Sequence, residues 1–412
     1  MKIVKGGPLP ERRRRGSAQD REAVRAACEE VRRFGDRALR RRVKALAVPG
    51  AELRRAFSRL TPQARSALEL ACRHVGLLAR RELAALKEFN VKPTAGVSLY
   101  QRLLPVRSVG ILAPSRQIVA VLMGAIPAAV AGVERRVLCA ASADGELDPH
   151  VLAAAYMCDI TEVYRVGGVL AAAALAYGTK TILAVDLIVG AGDSAVAIAK
   201  QELASVCGVD LATGPHELLV LADSTAPPEF VAADLLAQAE LDPEAVCLLV
   251  TTSADVAQRT RDELRRLGGS LPKGHPARGP LSRARAVVVE SLDEAVGLVN
   301  ARAPQRLALL VKRPDDLAGR LRSYGSLLVG PQSPAALGEL VTGANALLPA
   351  AGAAGQWGAF GVGSLLRRVT VQQVDPSAYH RLSRAAATLA ELQGRTLTTH
   401  ALTARLTSVE DD

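Results

Sequence analysis

The chain has 412 residues, 49% of them hydrophobic and 23% charged, which excludes a disordered or fibrous protein and leaves room for two or three compact units at roughly 100–200 residues each. Its 52 Lys and Arg outnumber its 41 Asp and Glu, for a net charge of +11. The excess crowds the first ninety positions, at Arg12 to Arg15 and Arg40 to Arg42, with no aromatic residues interleaved to stack on bases, so it reads as a solvated helical face and not as a nucleic-acid site.

The segment Met1 to Pro8 lacks the apolar core of a signal peptide. From Ser17 to about Asn90, apolar residues such as Ala23, Ala27, Val31 and Phe34 recur at turn spacing, which predicts a helical segment broken at Gly35-Asp36. From Val106 the period changes. Val109 to Ala113, Arg136 to Ala141, Glu162 to Val166 and Leu187 to Val189 read as strands. Between and after them, Val119 to Val133, Pro149 to Cys158, Val169 to Tyr177 and Ser194 to Ser205 read as helices. The run Ile118 to Val133 is the longest apolar stretch, yet it is too short for a bilayer span and contains Pro127, so no membrane partner is expected.

A second alternation follows Thr213-Gly214-Pro215. Leu218 to Leu221, Val246 to Thr251, Ala286 to Val289, Leu307 to Val311 and Leu327 to Val329 read as strands, with helices at Glu229 to Glu240 and Pro334 to Val341. Gly268 to Pro280 reads as an exposed loop, and Val371 to Leu406 as a helical tail. Six widely spaced cysteines with no CxxC pair fit free thiols in a reducing, cytoplasmic compartment.

This alternation predicts an α/β fold: two Rossmann-like parallel-sheet units side by side, with a helical N-terminal segment and a C-terminal tail. The expected divisions are residues 1–105, packing on the second unit, 106–213 for the first unit, 214–365 for the second and 366–412 for the tail. The scarcity of aromatics, 3%, leaves Ala, Val and Leu to build the core, and small side chains let helices sit close to a sheet. A ligand cleft is expected between the two units, because doubly wound sheets bind outside the carboxyl ends of their strands. Gly190-Ala191-Gly192-Asp193, between a strand and a helix, is either a phosphate-binding turn at a helix N-terminus or a plain tight turn.

Several longer stretches carry a resemblance. Leu122 to Ala128, Tyr164 to Gly168, Ala174 to Thr179, Val185 to Gly190, Ala232 to Glu240, Asn300 to Leu307, Gly343 to Asn345 and Leu397 to Ala401 occur in the order found in the histidinol dehydrogenase family. The chain resembles that family from about Arg21 to Leu406. The resemblance implies a zinc- and NAD-dependent homodimer that oxidises L-histidinol twice, through an aldehyde, to L-histidine. It also implies that 106–213 holds the NAD position, 214–365 the substrate and zinc position, and the tail a dimer contact.

At the implied chemical positions the residues differ. The zinc ligand pattern of Gln, His, acid, His reads Gln238, Leu241, Glu339 and His400, so an aliphatic side chain replaces one ligand. The acid/base pair Glu-His after Ala-Pro reads Gln305 and Arg306. An amide has no proton chemistry near neutral pH, and a guanidinium stays protonated. Substrate positions read His216, Asn345-Ala346 and Arg395. The cofactor loop is shortened around Pro114, and a neutral amide near the expected pyrophosphate becomes Asp193 beside Gly190 and Gly192.

Two function classes follow from this clustering of losses. One is a member of the family without dehydrogenase activity, acting as a binding or regulatory protein. The other is an enzyme of the same fold acting on a different, anionic substrate, with residual histidinol oxidation ranked below both. Arg306 and Arg395 either face a small anionic ligand, or Arg306 pairs with an acid such as Glu339 and Arg395 lies along the surface.

Overall fold

The computed structural model describes residues 1–11, 16–41, 45–141, 146–210 and 215–407. The basic run Arg12 to Arg15, Arg42 and the Thr213-Gly214 turn lie outside the described residues.

In chain order, strand β1 (Lys2–Lys5) precedes four helices, α1 (Ala18–Phe34), α2 (Asp36–Arg40), α3 (Gly50–Ser58) and α4 (Pro62–Ala85), then β2 (Phe89–Val91) and β3 (Val97–Pro105). A first α/β series follows: β4 (Ser108–Ala113), α5 (Ile118–Ala131), β5 (Arg135–Ala140), α6 (Pro149–Met157), β6 (Glu162–Tyr164), α7 (Gly168–Tyr177), β7 (Leu187–Gly190), α8 (Ser194–Leu203) and β8 (Gly208–Val209). The second series begins with β9 (Glu217–Ala222), α9 (Pro228–Leu241), β10 (Val246–Thr251), α10 (Ala254–Gly269), α11 (Arg278–Arg283) and β11 (Arg285–Val288). It continues with α12 (Leu292–Arg302), β12 (Arg306–Leu310), α13 (Pro314–Ala318), β13 (Ser326–Val329) and α14 (Ala335–Leu340). The chain closes with β14 (Leu366–Val374), α15 (Pro376–Leu392) and α16 (Thr396–Thr407).

Two compact units result, one of Met1–Leu83 with Val106–Leu365, the other of Ala84–Pro105 with the chain from Leu366 onward. In the larger unit both sheets are parallel throughout. Their orders are β6-β5-β4-β7-β8 and β1-β11-β10-β9-β12-β13. In each series the first strand lies between the second and the fourth, the doubly wound order expected from strand–helix alternation. β4 and β9 are buried at every residue, because helices cover both faces of such a sheet, and that is why they read as continuous apolar runs. Side chains of Asp148, Asp193, Ser253 and Ser291 cap the helices that follow them, satisfying N–H groups that a helix start leaves unpaired.

The expected divisions need correction in three respects. Val24, Cys28 and Val31 of α1 join the core formed by Ala171–Ala176 of α7 and Ile198 of α8, and α3 packs on α6, so these helices lie on the first α/β series, whereas α4 meets the second series through His74 at Val341 and Glu82 at Val362, and β1 joins the second sheet. Residues 84–105 leave that segment altogether, because β3 pairs antiparallel with β14 and β2 and so belongs with the tail. The tail is therefore strand from Leu366 to Val374 before it turns helical, and the Gly268–Pro280 tract is loop only between α10 and α11.

All six cysteines are free thiols. Burial pushes Cys28 and Cys207 up to about 11 and Cys247 up to about 12. Among the described residues, no helix is long and apolar enough to cross a membrane.

Candidate functional site

Within the larger unit, one cavity of about 220 Å3 is walled by both sheets. The first sheet contributes from beyond the carboxyl ends of its strands, through Arg116 and Gln117 after β4 and Ala191 after β7. The second contributes from the amino ends, through His216 before β9 and Arg306 at the start of β12, with Leu241 at the end of α9 and Glu339 on α14. The expectation of a cleft at the carboxyl ends of both sheets therefore holds for the first sheet only.

Arg306 is the centre of this wall and is 3% exposed. Its Nη2 lies 3.3 Å from Glu339 Oε2. Its Nη1 lies 3.5 Å from Gln238 Oε1, 3.3 Å from Gln305 Oε1 and 3.4 Å from His216 Nδ1. Burial pulls the guanidinium pKa below its ordinary value and the Glu339 carboxylate acts against that shift. Of the two sequence alternatives, the pairing of Arg306 with Glu339 is the one observed.

Gln305 is buried and bonded at both ends of its amide. Oε1 accepts from the Glu217 backbone N–H at 3.0 Å, and Nε2 donates to the Leu348 carbonyl at 3.2 Å. Glu217 in turn is ion-paired with Arg302, Nε to Oε1 at 2.5 Å. Asn345 is similarly committed, its Nδ2 donating to the Met123 carbonyl at 3.0 Å and its Oδ1 accepting from Leu347 N–H at 2.9 Å. These amides tie the start of β9, the start of β12, α5 and the chain after α14 together, and both polar atoms of the Gln305 side chain are engaged.

The structure thus brings Gln238, Glu339, Arg306, Gln305 and His216 together. His400 and Arg395 belong to the smaller unit, both exposed, with Arg395 Nη1 donating to Gln393 Oε1 at 3.4 Å. Among the described residues, no three of His, Cys, Asp and Glu converge in an arrangement that could hold a metal ion.

Pro114, at the end of β4, accepts from Gln117 N–H at 3.2 Å. On the turn after β7, Gly190 has φ of +114° and lies so close to β4 that a Cβ would run into the Leu112 carbonyl oxygen. Only glycine fits there. Both of its peptide groups are engaged: the N–H donates to Asp210 Oδ2 at 2.7 Å and the carbonyl accepts from Lys200 Nζ at 2.5 Å. Asp193 caps α8 by accepting from Val196 N–H at 3.0 Å. The sequence reading missed Lys200, Asp210, Glu217 and Arg302. Lys200 had a signal, since it is the one charged residue in the run from Ser194 to Lys200, on a helix that is otherwise apolar there.

The histidinol dehydrogenase family model matches residues 11–406. Histidinol dehydrogenase of Gluconobacter oxydans is 36% identical over 92% of this chain and 91% of its own length. That of Nitrobacter winogradskyi is 39% identical over 80% of this chain and 77% of its own length. The crystal structure of histidinol dehydrogenase from Elizabethkingia anophelis superposes with a TM-score of 0.91, at 27% identity, over 100% of this chain and 99% of that one.

Proposed function

The chain belongs to the histidinol dehydrogenase family, and we propose that it is a non-catalytic binding member that does not carry out the NAD-dependent oxidation of L-histidinol. The observation that carries this reading is the state of the acid/base positions. Alcohol oxidation needs a group that accepts the hydroxyl proton, and oxidation of the aldehyde needs one that activates water. Gln305 offers an amide already bonded at both ends, and Arg306 offers a guanidinium, which donates and does not accept.

The same reading covers the cofactors. Gln238 Oε1 and Glu339 Oε2 both face the Arg306 guanidinium, and Leu241 has no donor atom, so this set does not fit a zinc ion while Arg306 stands among it. A pyrophosphate at the start of α8 would meet the Asp193 carboxylate that already caps it, and the Gly190 N–H is taken by Asp210. The turn at 190–193 therefore fits its structural role and does not fit a dinucleotide phosphate.

The test is an assay of the full chain with L-histidinol and NAD, with zinc added. Reduced NAD does not accumulate above the protein-free control. Steady turnover that disappears in Gln238→Ala or His400→Ala contradicts the reading.

The assembly proposed with it is a homodimer. Leu389, Leu392 and Leu397, on α15 and at the start of α16, are exposed, and large apolar side chains left in water favour burial against another surface. A second copy of the chain supplies one in a symmetric pair. Light scattering on the full chain gives twice the chain mass, and Leu392→Glu with Leu397→Glu shifts it to the monomer. A stable monomer of the unmodified chain contradicts this.

A further inference from the structure

We propose that Cys72 and Cys158 form a redox-sensitive pair: a peroxide oxidises Cys72, and Cys158 then closes a reversible disulfide that staples α4 to the end of α6. Cys72 lies on α4 and Cys158 directly follows α6, and the Cys158 S–H donates a hydrogen bond to the Cys72 sulfur. The packing around them fixes this approach. The Phe57 ring of α3 is 5.0 Å from the Tyr156 ring of α6, centroid to centroid, and the Arg65 guanidinium of α4 lies 4.2 Å over the same Phe57 ring. Arg65 and Cys72 are about two turns apart on one face of α4. The two atoms that a disulfide joins are therefore already neighbours.

The two thiols differ in the way such a reaction needs. Of the six free cysteines, Cys72 and Cys207 are partly exposed and the others buried. The hydrogen bond from Cys158 holds the Cys72 thiol below its ordinary pKa against the opposing effect of burial, whereas burial pushes Cys207 up to about 11. The thiolate is the nucleophile, so Cys72 is the one that a peroxide meets first. Cys158 is buried and keeps its proton as the donor of that bond. Beside it stands Arg136, whose Nη1 donates to the Val133 carbonyl at 3.0 Å and whose Nη2 donates to the Asp159 carbonyl at 3.4 Å. The buried Arg136 Nε has no acceptor among the described residues. The Arg136 charge favours the Cys158 thiolate, the form required in the second step.

In the first step the Cys72 thiolate attacks one peroxide oxygen, the O–O bond breaks, and hydroxide leaves to take up a proton as water. Cys72 is now a sulfenic acid. In the second step the deprotonated Cys158 sulfur attacks the Cys72 sulfur, the S–O bond breaks, and the hydroxyl leaves as a second water with the Cys158 proton. The two sulfurs together give up two electrons and the two peroxide oxygens gain them. The staple reaches beyond α6, because His74, next but one to Cys72, has Nδ1 2.8 Å from the Val341 carbonyl, and Gly343 lies so close to the His74 backbone that a Cβ would collide with it. Oxidation therefore fixes, on the first series, a helix that also holds the chain after α14.

The experiment treats the folded full chain with hydrogen peroxide, then unfolds it, alkylates it with iodoacetamide and weighs it. Two fewer of the six thiols are alkylated, and the chain without label is about 2 Da lighter. In a tryptic digest the Cys72 peptide is joined to the peptide holding Cys158, with Cys139 of that same peptide alkylated, and dithiothreitol releases it. Cys158→Ser stops at a sulfenic acid on Cys72 that dimedone traps, and Cys72→Ser keeps its five thiols, with folding of both variants checked by circular dichroism. Oxidation of Cys207 ahead of Cys72, full alkylation of Cys72 and Cys158 after peroxide, or a link between Cys72 residues of two chains overturns the proposal.

Discussion

Lys200→Met lowers the stability of the chain by about 3–5 kcal/mol, the cost of leaving a buried charge without its partner. Lys200 and Asp210 are both buried and ion-paired. The pair also clamps Gly190, the lysine on its carbonyl and the carboxylate on its N–H. Methionine keeps most of the apolar stem but leaves Asp210 charged beneath the edge of the first sheet. The double variant Lys200→Met with Asp210→Leu recovers part of the loss, because it removes the stranded charge along with the pair. Denaturant unfolding midpoints measure both. A loss under about 1 kcal/mol in the single variant, the size typical of an exposed pair, contradicts this account of the turn at 190–193.

Arg302→Met has a comparable effect at the second sheet. Arg302 binds Glu217 and also donates from Nη1 to the Pro10 carbonyl at 2.6 Å, which ties the end of α12 to the start of β9 and to the N-terminal segment. Without this cation the buried Glu217 carboxylate loses the ion pair it makes among the described residues, again at about 3–5 kcal/mol. The loss spreads to the site, since the Glu217 backbone N–H holds Gln305 Oε1. Arg302→Met with Glu217→Leu is less destabilised than Arg302→Met alone. Thermal unfolding in which the single variant equals the parent, or the double variant is the worse of the two, contradicts the pairing as the source of the effect.

The parallel sheets were legible because their strands are buried on both faces. Val109 to Ala113 and Leu218 to Leu221 had to be continuous apolar runs, and such runs between turn residues announce themselves. β3 and β14 were not legible. Each carries charged or polar residues at solvent-facing positions, and their pairing joins Val97 to Val374, so no local pattern announces it. The same distance in sequence hid the split of residues 84–105 from the N-terminal helices.

At the site, the resemblance located Gln238, Gln305, Arg306 and Glu339, and the structure adds what a string of letters lacks: which atoms face which. Arg306 and Glu339 are separated by α13, β13 and the loops around them, and only the packing of α14 near the start of β12 makes them a pair. Lys200 and Asp210 are ten residues apart across a helix end and a short strand, a spacing with no recognisable period. The amino-end position of the second sheet in the cavity follows from how the two sheets face each other, which strand–helix alternation does not encode.

We propose that the Arg306 guanidinium occupies the donor set that the family resemblance assigns to a metal. The most direct test is the zinc content of the purified, dialysed full chain by elemental analysis. Zinc is expected far below stoichiometric, because Gln238 and Glu339 face a permanent cation and Leu241 offers no donor. Stoichiometric zinc that survives dialysis and is lost in Gln238→Ala would contradict it.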